Sequence, residues 1–341
     1  MNNLFILHTQ YNLIIGSGIA AKCKEDFNVL VLYPEFKLTD IMLQKLNSIF
    51  DIVIPLRDNF EEAKYAWQEI KEIRTHLKKT KILNKYKFDR IFLSQERRFD
   101  TLLAYKFYKK NPCSIANIEE DAYYSLTVRR FGVSKRKSIK NKASELIRRI
   151  FCGKNPFYEY GCVCYGANKI YDTVYAVFPE VVRSEISCKK KIEVDSRMLL
   201  SGIKALYGDV SFDLPKADKY FVVFFDLVER FKNKDKALDL IRKIVLEKLS
   251  GGYKVLAKYH PRETEKFTDI EGVFEIDKLI PAEKLLSDLS GKNVIVLGNA
   301  TTACWIGAKL GYEVYSIAKT DHPGNNIMHT AMEKMGIKFV Q

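Results

Sequence analysis

Lys219-Tyr220-Phe221-Val222-Val223-Phe224-Phe225 is apolar throughout after its opening lysine. A run that short and that apolar reads as a strand buried on both faces, as in a parallel sheet. Behind it, Lys234 to Leu249 has helical spacing and length. Tyr253-Lys254-Val255-Leu256-Ala257-Lys258-Tyr259 is then a second buried strand, introduced by Gly251-Gly252. Strand, helix and strand in alternation argue an α/β domain with a largely parallel sheet. The second strand ends at His260-Pro261-Arg262-Glu263. Proline stops the ladder there, and ligands of α/β proteins bind at the carboxyl ends of the strands. A titratable imidazole followed by a fixed cation suits an anionic leaving group. A strand cap with a surface histidine is the plainer reading of the same residues.

The alternation extends in both directions. Leu4-Phe5-Ile6-Leu7 is a short buried strand, His8-Thr9-Gln10-Tyr11 turns the chain, and Asn12 to Lys22 is a helix. Its Gly16, Ser17, Gly18, Ala20 and Ala21 let helix and strand approach closely. Further strands are expected at 28–33, 52–55, 89–93 and 114–118, with helices at 38–50, 61–83 and 100–109. Residues 170–177 form one or two strands, and Val194 to Tyr207 is helical. Beyond the His-Pro strand, 273–276 is a strand and Pro281 opens a helix at its N1 position. Asn293 to Leu297 is a strand, Gly298-Asn299-Ala300-Thr301-Thr302-Ala303 opens a helix, and Tyr312 to Ile317 closes the sheet. The expected architecture is α/β: two Rossmann-like domains with a cleft between them, residues 1–200 and 201–341, the crossing falling within 196–217.

The chain has 341 residues, 47% of them hydrophobic and 12% aromatic, ample for two cores. A formal charge of +14 implies an anionic partner or surface. Seven cysteines, an odd number without Cys-x-x-Cys spacing, read as free thiols in a reducing compartment. Met1-Asn2-Asn3 lacks the positive charge of a signal peptide, and no run reaches the ~18–20 apolar residues of a membrane span. A cytoplasmic protein is expected, peripheral on the inner membrane face. Residues 129–154 carry ten cations against Glu145, with Leu146, Ile147, Ile150 and Phe151 interleaved. Such a basic amphipathic stretch suits anionic lipid; a solvated helix face is the alternative.

Three other segments carry chemistry. Glu119-Glu120-Asp121 follows a strand, and adjacent carboxylates repel, so one of them can hold or accept a proton near neutrality. A solvated turn is the bland reading. Gly298 to Ala303 joins a strand, a small-residue turn and a helix start with two hydroxyls, which together make an anion site or an ordinary threonine N-cap. It is not a P-loop, lacking the Gly-Lys-Ser/Thr ending. Ile280-Pro281-Ala282-Glu283 begins a helix on which a nucleoside could rest. Asp226, with Glu229 after it, is a second candidate acid behind Phe225.

Taken together these segments resemble a family. Leu4-Phe5-Ile6-Leu7-His8-Thr9-Gln10-Tyr11-Asn12-Leu13 is similar to the amino-terminal signature of bacterial lipooligosaccharide and capsule sialyltransferases, glycosyltransferase family 52. Glu120-Asp121-Ala122 resembles the acid-acid-Gly motif of the wider bacterial sialyl- and polysialyltransferase group. His260-Pro261-Arg262-Glu263, Ile280-Pro281-Ala282-Glu283 and Thr301-Thr302-Ala303 resemble its later motifs, in the right order. Gln10 stands where the family has proline, Ala122 where it has glycine, and a threonine pair replaces serines.

The resemblance implies a GT-B fold and an inverting transfer of sialic acid from CMP-sialic acid to a galactoside of a cell-surface glycan, with no metal and no cofactor beyond the donor. It makes Glu120 the base, with Asp121 orienting the loop or binding acceptor. His260 then assists departure of CMP, and Thr301 and Thr302 hold its phosphate. Arg262 neutralises nearby charge, while Pro281, Glu283, Asn299, His8 and Thr9 fall in the substrate-binding motifs. Asp226 stands as the alternative base. The implied partners are a nucleotide sugar, a glycan or glycolipid acceptor and an anionic membrane surface, without nucleic acid; a homodimer is left open. Hexosyl transfer from another nucleotide sugar is the near alternative. A non-catalytic basic protein binding membrane or nucleic acid is the alternative from another class.

Overall fold

The apolar runs quoted above become strands, and among the described residues every pairing between strands is parallel. The computed structural model describes residues 1–56, 66–95, 98–120, 146, 166, 168, 170–183, 186, 190–227, 229, 231–264 and 270–340. They divide into two compact units, Met1–Leu206 and Tyr207–Gln341.

In the first unit, β1 (Asn2–Leu7), β2 (Phe27–Leu32), β3 (Ile52–Pro55), β4 (Arg90–Leu93), β5 (Ser114–Ile118), β6 (Thr173–Ala176) and β7 (Lys190–Glu193) lie in the order β3-β2-β1-β4-β5-β6-β7. Strand side chains alternate between faces, and both faces are covered. Leu4 and Ile6 point into a core with Ile73 of α3 (Ala66–Lys79) and with Leu103 and Phe107 of α4 (Arg98–Lys110). Phe5, on the other face, stacks on Phe92 at 4.3 Å between ring centroids and meets the edge of Phe50, which follows α2 (Asp40–Ile49).

The small residues of α1 (Gln10–Lys22) serve two contacts. A Cβ on Gly16 would come within 2.5 Å of Leu7 Cδ1, so this glycine lets α1 lie on β1. Gly18 faces instead α5 (Ser196–Tyr207): a Cβ there would sit 2.3 Å from the Met198 carbonyl oxygen, and one on Gly202 would sit 2.0 Å from that of Ile14. Two helix backbones therefore meet through opposed glycines.

The second unit repeats the plan. Its strands β8 (Lys219–Phe225), β9 (Lys254–Tyr259), β10 (Val273–Ile276), β11 (Asn293–Gly298), β12 (Glu313–Ser316) and β13 (Lys338–Phe339) run β10-β9-β8-β11-β12-β13. Phe221, Val223 and Phe225 pack with Ile241 and Val245 of α6 (Lys234–Ser250). Gly307 of α8 (Thr302–Lys309) packs against Val296 and Val314 on the opposite face.

Several expectations need correction. Helix α1 begins at Gln10 because Thr9 and Asn12 form a reciprocal capping box, leaving no room for a separate turn. Residues 170–177 hold one strand, β6, and its neighbour β7 went unread. Pro281 is the cap before α7 (Ala282–Asp288), with extended ψ of 140°, so Ala282 takes the first helical position. Tyr312–Ile317 does not close the second sheet: after β12, α9 (Ala318–Asp321) and α10 (Asn326–Lys334) lead to β13 at the edge. Asp121, the 129–154 stretch apart from the exposed Leu146, and four of the cysteines (Cys152, Cys162, Cys164, Cys188) lie outside the described residues. The described cysteines, Cys23, Cys113 and Cys304, are free thiols.

Candidate functional site

In both sheets the first strand in sequence sits centrally, and the chain leaves it first to one side and then to the other. The strand order therefore reverses between β1 and β4 in the first unit and between β8 and β11 in the second. A crevice opens at the carboxyl ends of such a pair, where α/β proteins take their ligands. The residues that leave these strand ends carry the candidate chemistry.

In the first unit the ends of β1, β2, β4 and β5 contribute His8, Glu35, Gln95 and Glu120. His8 is 1% exposed and follows β1 directly. Its Nε2 lies 2.7 Å from Asp100 Oδ2, a buried carboxylate in the first turn of α4. A carboxylate only accepts, so the ring proton belongs on Nε2. The ring stacks on Tyr33 at 5.0 Å, and Nδ1 faces Glu35 Oε1 at 3.8 Å. The backbone N–H groups of His8 and Thr9 both donate to Asn12 Oδ1.

Gln95, fully buried, donates through Nε2 to Glu35 Oε1 at 3.3 Å and also to Glu120 Oε1. Glu120 is 8% exposed. Its neighbour Glu119 turns elsewhere and accepts from the Val177 backbone N–H at 2.7 Å. The carboxylate that approaches Glu120 through a shared amide is thus Glu35, not the sequence-adjacent Glu119. Asp100, Glu35 and Gln95 were absent from the sequence reading. The available signal was position: Gln95 and Glu35 come two and three residues beyond strand ends.

In the second unit the ends of β8, β9 and β11 bring Asp226, His260 and Asn299 to one edge of the sheet. His260 continues the ladder, its N–H donating to the Phe225 carbonyl at 2.9 Å. Its Nδ1 accepts the Arg262 N–H at 3.2 Å. The tautomer consistent with that bond carries its proton on Nε2. Arg262 itself is exposed. Asp226, partly buried, accepts from the N–H of Leu227 at 2.8 Å.

At the end of β11 only glycine leaves room for Cys304: a Cβ on Gly298 would lie 2.7 Å from Cys304 Sγ. Burial pushes that thiol up to about 12, so it is no nucleophile at neutral pH. Thr301 caps α8, accepting from the Ala303 N–H at 3.1 Å, and Thr302 is the first residue of that helix. Asn299 is turned away from a direct substrate role at its amide nitrogen, which donates to Asp321 Oδ2 at 2.7 Å. Asp321 is wholly buried and also meets His322 Nε2 at 3.0 Å. Burial holds the His322 imidazole below its ordinary range, against the pull of Asp321. Neither residue was picked out in the sequence.

Beside His260, Lys258 is buried on the face of β9 opposite α6, and its ammonium donates to the carbonyls of Tyr259 and Lys278. It ties the strand that carries His260 to the loop that leads to Pro281. Burial lowers its pKa to about 8, against the pull of Glu283 and Asp277. Glu283, in the first turn of α7, is in turn raised by burial.

No protein-family model matches the sequence, and neither does any curated protein. Solved structures do match in fold. The chain is similar to the GT-B domain of a sialyltransferase from Photobacterium damselae, residues 113–497, at TM-score 0.55 and 14% identity, covering 99% of this chain and 100% of that one. It is also similar to a UDP-GlcNAc 2-epimerase from Neisseria meningitidis bound to UDP-GlcNAc, at TM-score 0.53 and 12% identity, covering 99% of this chain and 87% of that one. The fold is therefore α/β of the GT-B type, each unit contributing one parallel Rossmann-like sheet. Among the described residues no helix is long and apolar enough to cross a membrane.

Proposed function

We propose that this protein is a glycosyltransferase that uses a nucleotide sugar, and that its donor is CMP-sialic acid and its acceptor a galactoside of a cell-surface glycan. The observation that carries the reading is the pair of held groups at strand ends beside the two switch points. Glu120 is fixed by a buried amide, and His260 is fixed by a backbone N–H so that Nε2 bears the proton. One is an acceptor suited to taking a proton, the other a donor suited to giving one.

In the reaction Glu120 takes the proton of the acceptor hydroxyl as its oxygen attacks the anomeric carbon. The bond from that carbon to the phosphate oxygen breaks on the opposite side, so the configuration inverts through an oxocarbenium-like state. His260 Nε2 gives a hydrogen bond or a proton to the departing phosphate. The Thr301 and Thr302 hydroxyls and the N–H groups at the start of α8 meet the same charge. Asp121, outside the described residues, is assigned to orienting the loop or binding acceptor, and Arg262 adds positive charge. No metal is assigned a role. Asp226 is the alternative base, and the 129–154 stretch is proposed to bring the enzyme to anionic lipid.

Hexosyl transfer is the second reading, favoured by the fold likeness to an epimerase bound to UDP-GlcNAc, at TM-score 0.53 against 0.55 for the sialyltransferase domain. Calorimetric titration with CMP, UDP and ADP separates the two. Binding of CMP at least tenfold tighter than of UDP is expected. Tighter binding of UDP would hand the assignment to hexosyl transfer, and no binding of any of the three would overturn the enzyme reading.

A further inference from the structure

We propose that Lys258 is a positioning residue of the donor site: its ammonium pins the turn 277–280 against β9 and so sets where α7, with Pro281 and Glu283, begins beside the nucleoside part of the donor. The inference rests on the reading that a nucleotide binds at the carboxyl ends of the second sheet. Lys258 is 4% exposed, and lysine is rarely buried so far without an acidic partner. Among the described residues its hydrogen bonds go to two backbone carbonyls, that of Tyr259 at 3.1 Å and that of Lys278 at 2.9 Å. The second bond spans 20 residues and joins the strand to the turn beyond β10. That turn is closed on Asp277, whose carbonyl accepts from the Ile280 N–H at 3.0 Å and whose Oδ1 accepts from the Leu279 N–H at 2.8 Å. Holding Lys278 therefore holds the approach to Pro281. Lys278 Nζ reaches the Glu263 carbonyl only at 3.5 Å and at the surface, so the buried bond is the stronger tie.

The charge is the second observation. Alternate residues share a face of a strand, so Leu256, Lys258 and His260 line one side of β9. Leu256 fills its place there with apolar surface. An apolar residue at 258 would likewise avoid the cost of burying an ammonium. Burial lowers the pKa of Lys258 to about 8, against the pull of Glu283 of α7 and Asp277 of the turn, the charged groups around it. Burial raises the Glu283 carboxyl in turn, and the Lys258 charge draws it back towards the ionised form. When Lys258 gives up its proton, its bonds to the two carbonyls become neutral and about half as strong, and Glu283 loses that support. Nucleotide affinity should therefore fall as pH rises through about 8. Stability has the opposite sign. A lysine whose pKa is lower in the folded than in the unfolded chain adds stability as pH rises from about 8 towards 10.5. Unfolding thus does not account for the expected loss.

The test is calorimetric titration of CMP, UDP and ADP into wild type, Lys258→Met and Lys258→Arg, from about pH 7 to about pH 9.5, across the lysine's range. Methionine keeps the length and the apolar stem without the charge, and arginine stays charged throughout. For the nucleotide that wild type binds most tightly, wild-type affinity falls about 3–10-fold across the range, with its midpoint near pH 8. Lys258→Met binds that nucleotide about tenfold more weakly at the lower pH, and its affinity no longer changes with pH. Lys258→Arg keeps its affinity to the top of the range. With a sugar donor, KM of Lys258→Met rises by the same factor while kcat stays within about threefold, since the groups that meet the leaving phosphate are untouched. A wild-type profile without that midpoint overturns the inference and needs no variant. A folded Lys258→Met that keeps either the wild-type affinity or the wild-type midpoint overturns it as well. If wild type binds none of the three nucleotides, the reading of a nucleotide-sugar enzyme itself falls and takes this one with it.

Discussion

Glu120→Gln is expected to abolish transfer almost completely, lowering turnover by roughly 10²–10⁴-fold, while CMP binds as before. The substitution keeps the shape and the oxygen that accepts from Gln95 but removes the basicity. General-base catalysis of this kind contributes a factor of that order. The groups proposed to meet the donor belong to Tyr207–Gln341 and Glu120 to Met1–Leu206, so a calorimetric titration with CMP should be indifferent to the change. Asp226→Asn is the matched control. Should Glu120→Gln remain active and Asp226→Asn be dead, the base is Asp226.

His260→Ala is expected to lower turnover by roughly 10²–10⁴-fold with little change in donor affinity, because a group that meets charge developing on the leaving phosphate acts mainly in the transition state. Alanine also deletes the acceptor for the Arg262 N–H, so a slackened turn could mimic the effect. His260→Asn answers this, since its carbonyl oxygen can replace Nδ1 in the turn but supplies no proton of comparable acidity. Equal losses in the two variants identify an imidazole role. Turnover within a factor of about three of wild type in either folded variant removes His260 from the mechanism.

The buried parallel strands were legible because a strand covered on both faces must be apolar along its length, as at Phe221–Phe225 and Val255–Ala257. The edges were not. β7 (Lys-Lys-Ile-Glu) is polar and largely exposed, and β13 is two residues long, so neither leaves a pattern. The candidate site was legible only as single strand ends. Glu119 and Glu120 read as a repelling pair, yet successive residues of an extended chain point to opposite sides, and the two carboxylates go to Val177 and Gln95. His8 stood out by its motif, but its partner Asp100 lies 92 residues away and Glu35 and Gln95 are 60 apart. No local period encodes such pairs; they follow from the strand order, which places β2, β1, β4 and β5 side by side.

The central claim is that a nucleotide sugar is the donor and a sugar hydroxyl the acceptor. Mass spectrometry of the products from CMP-sialic acid offered with a panel of galactosides tests it most directly. The account predicts release of CMP and a galactoside heavier by one sialic acid residue, its new anomeric centre inverted relative to the donor. An unchanged galactoside panel with intact CMP-sialic acid, from folded protein that binds CMP, would contradict it.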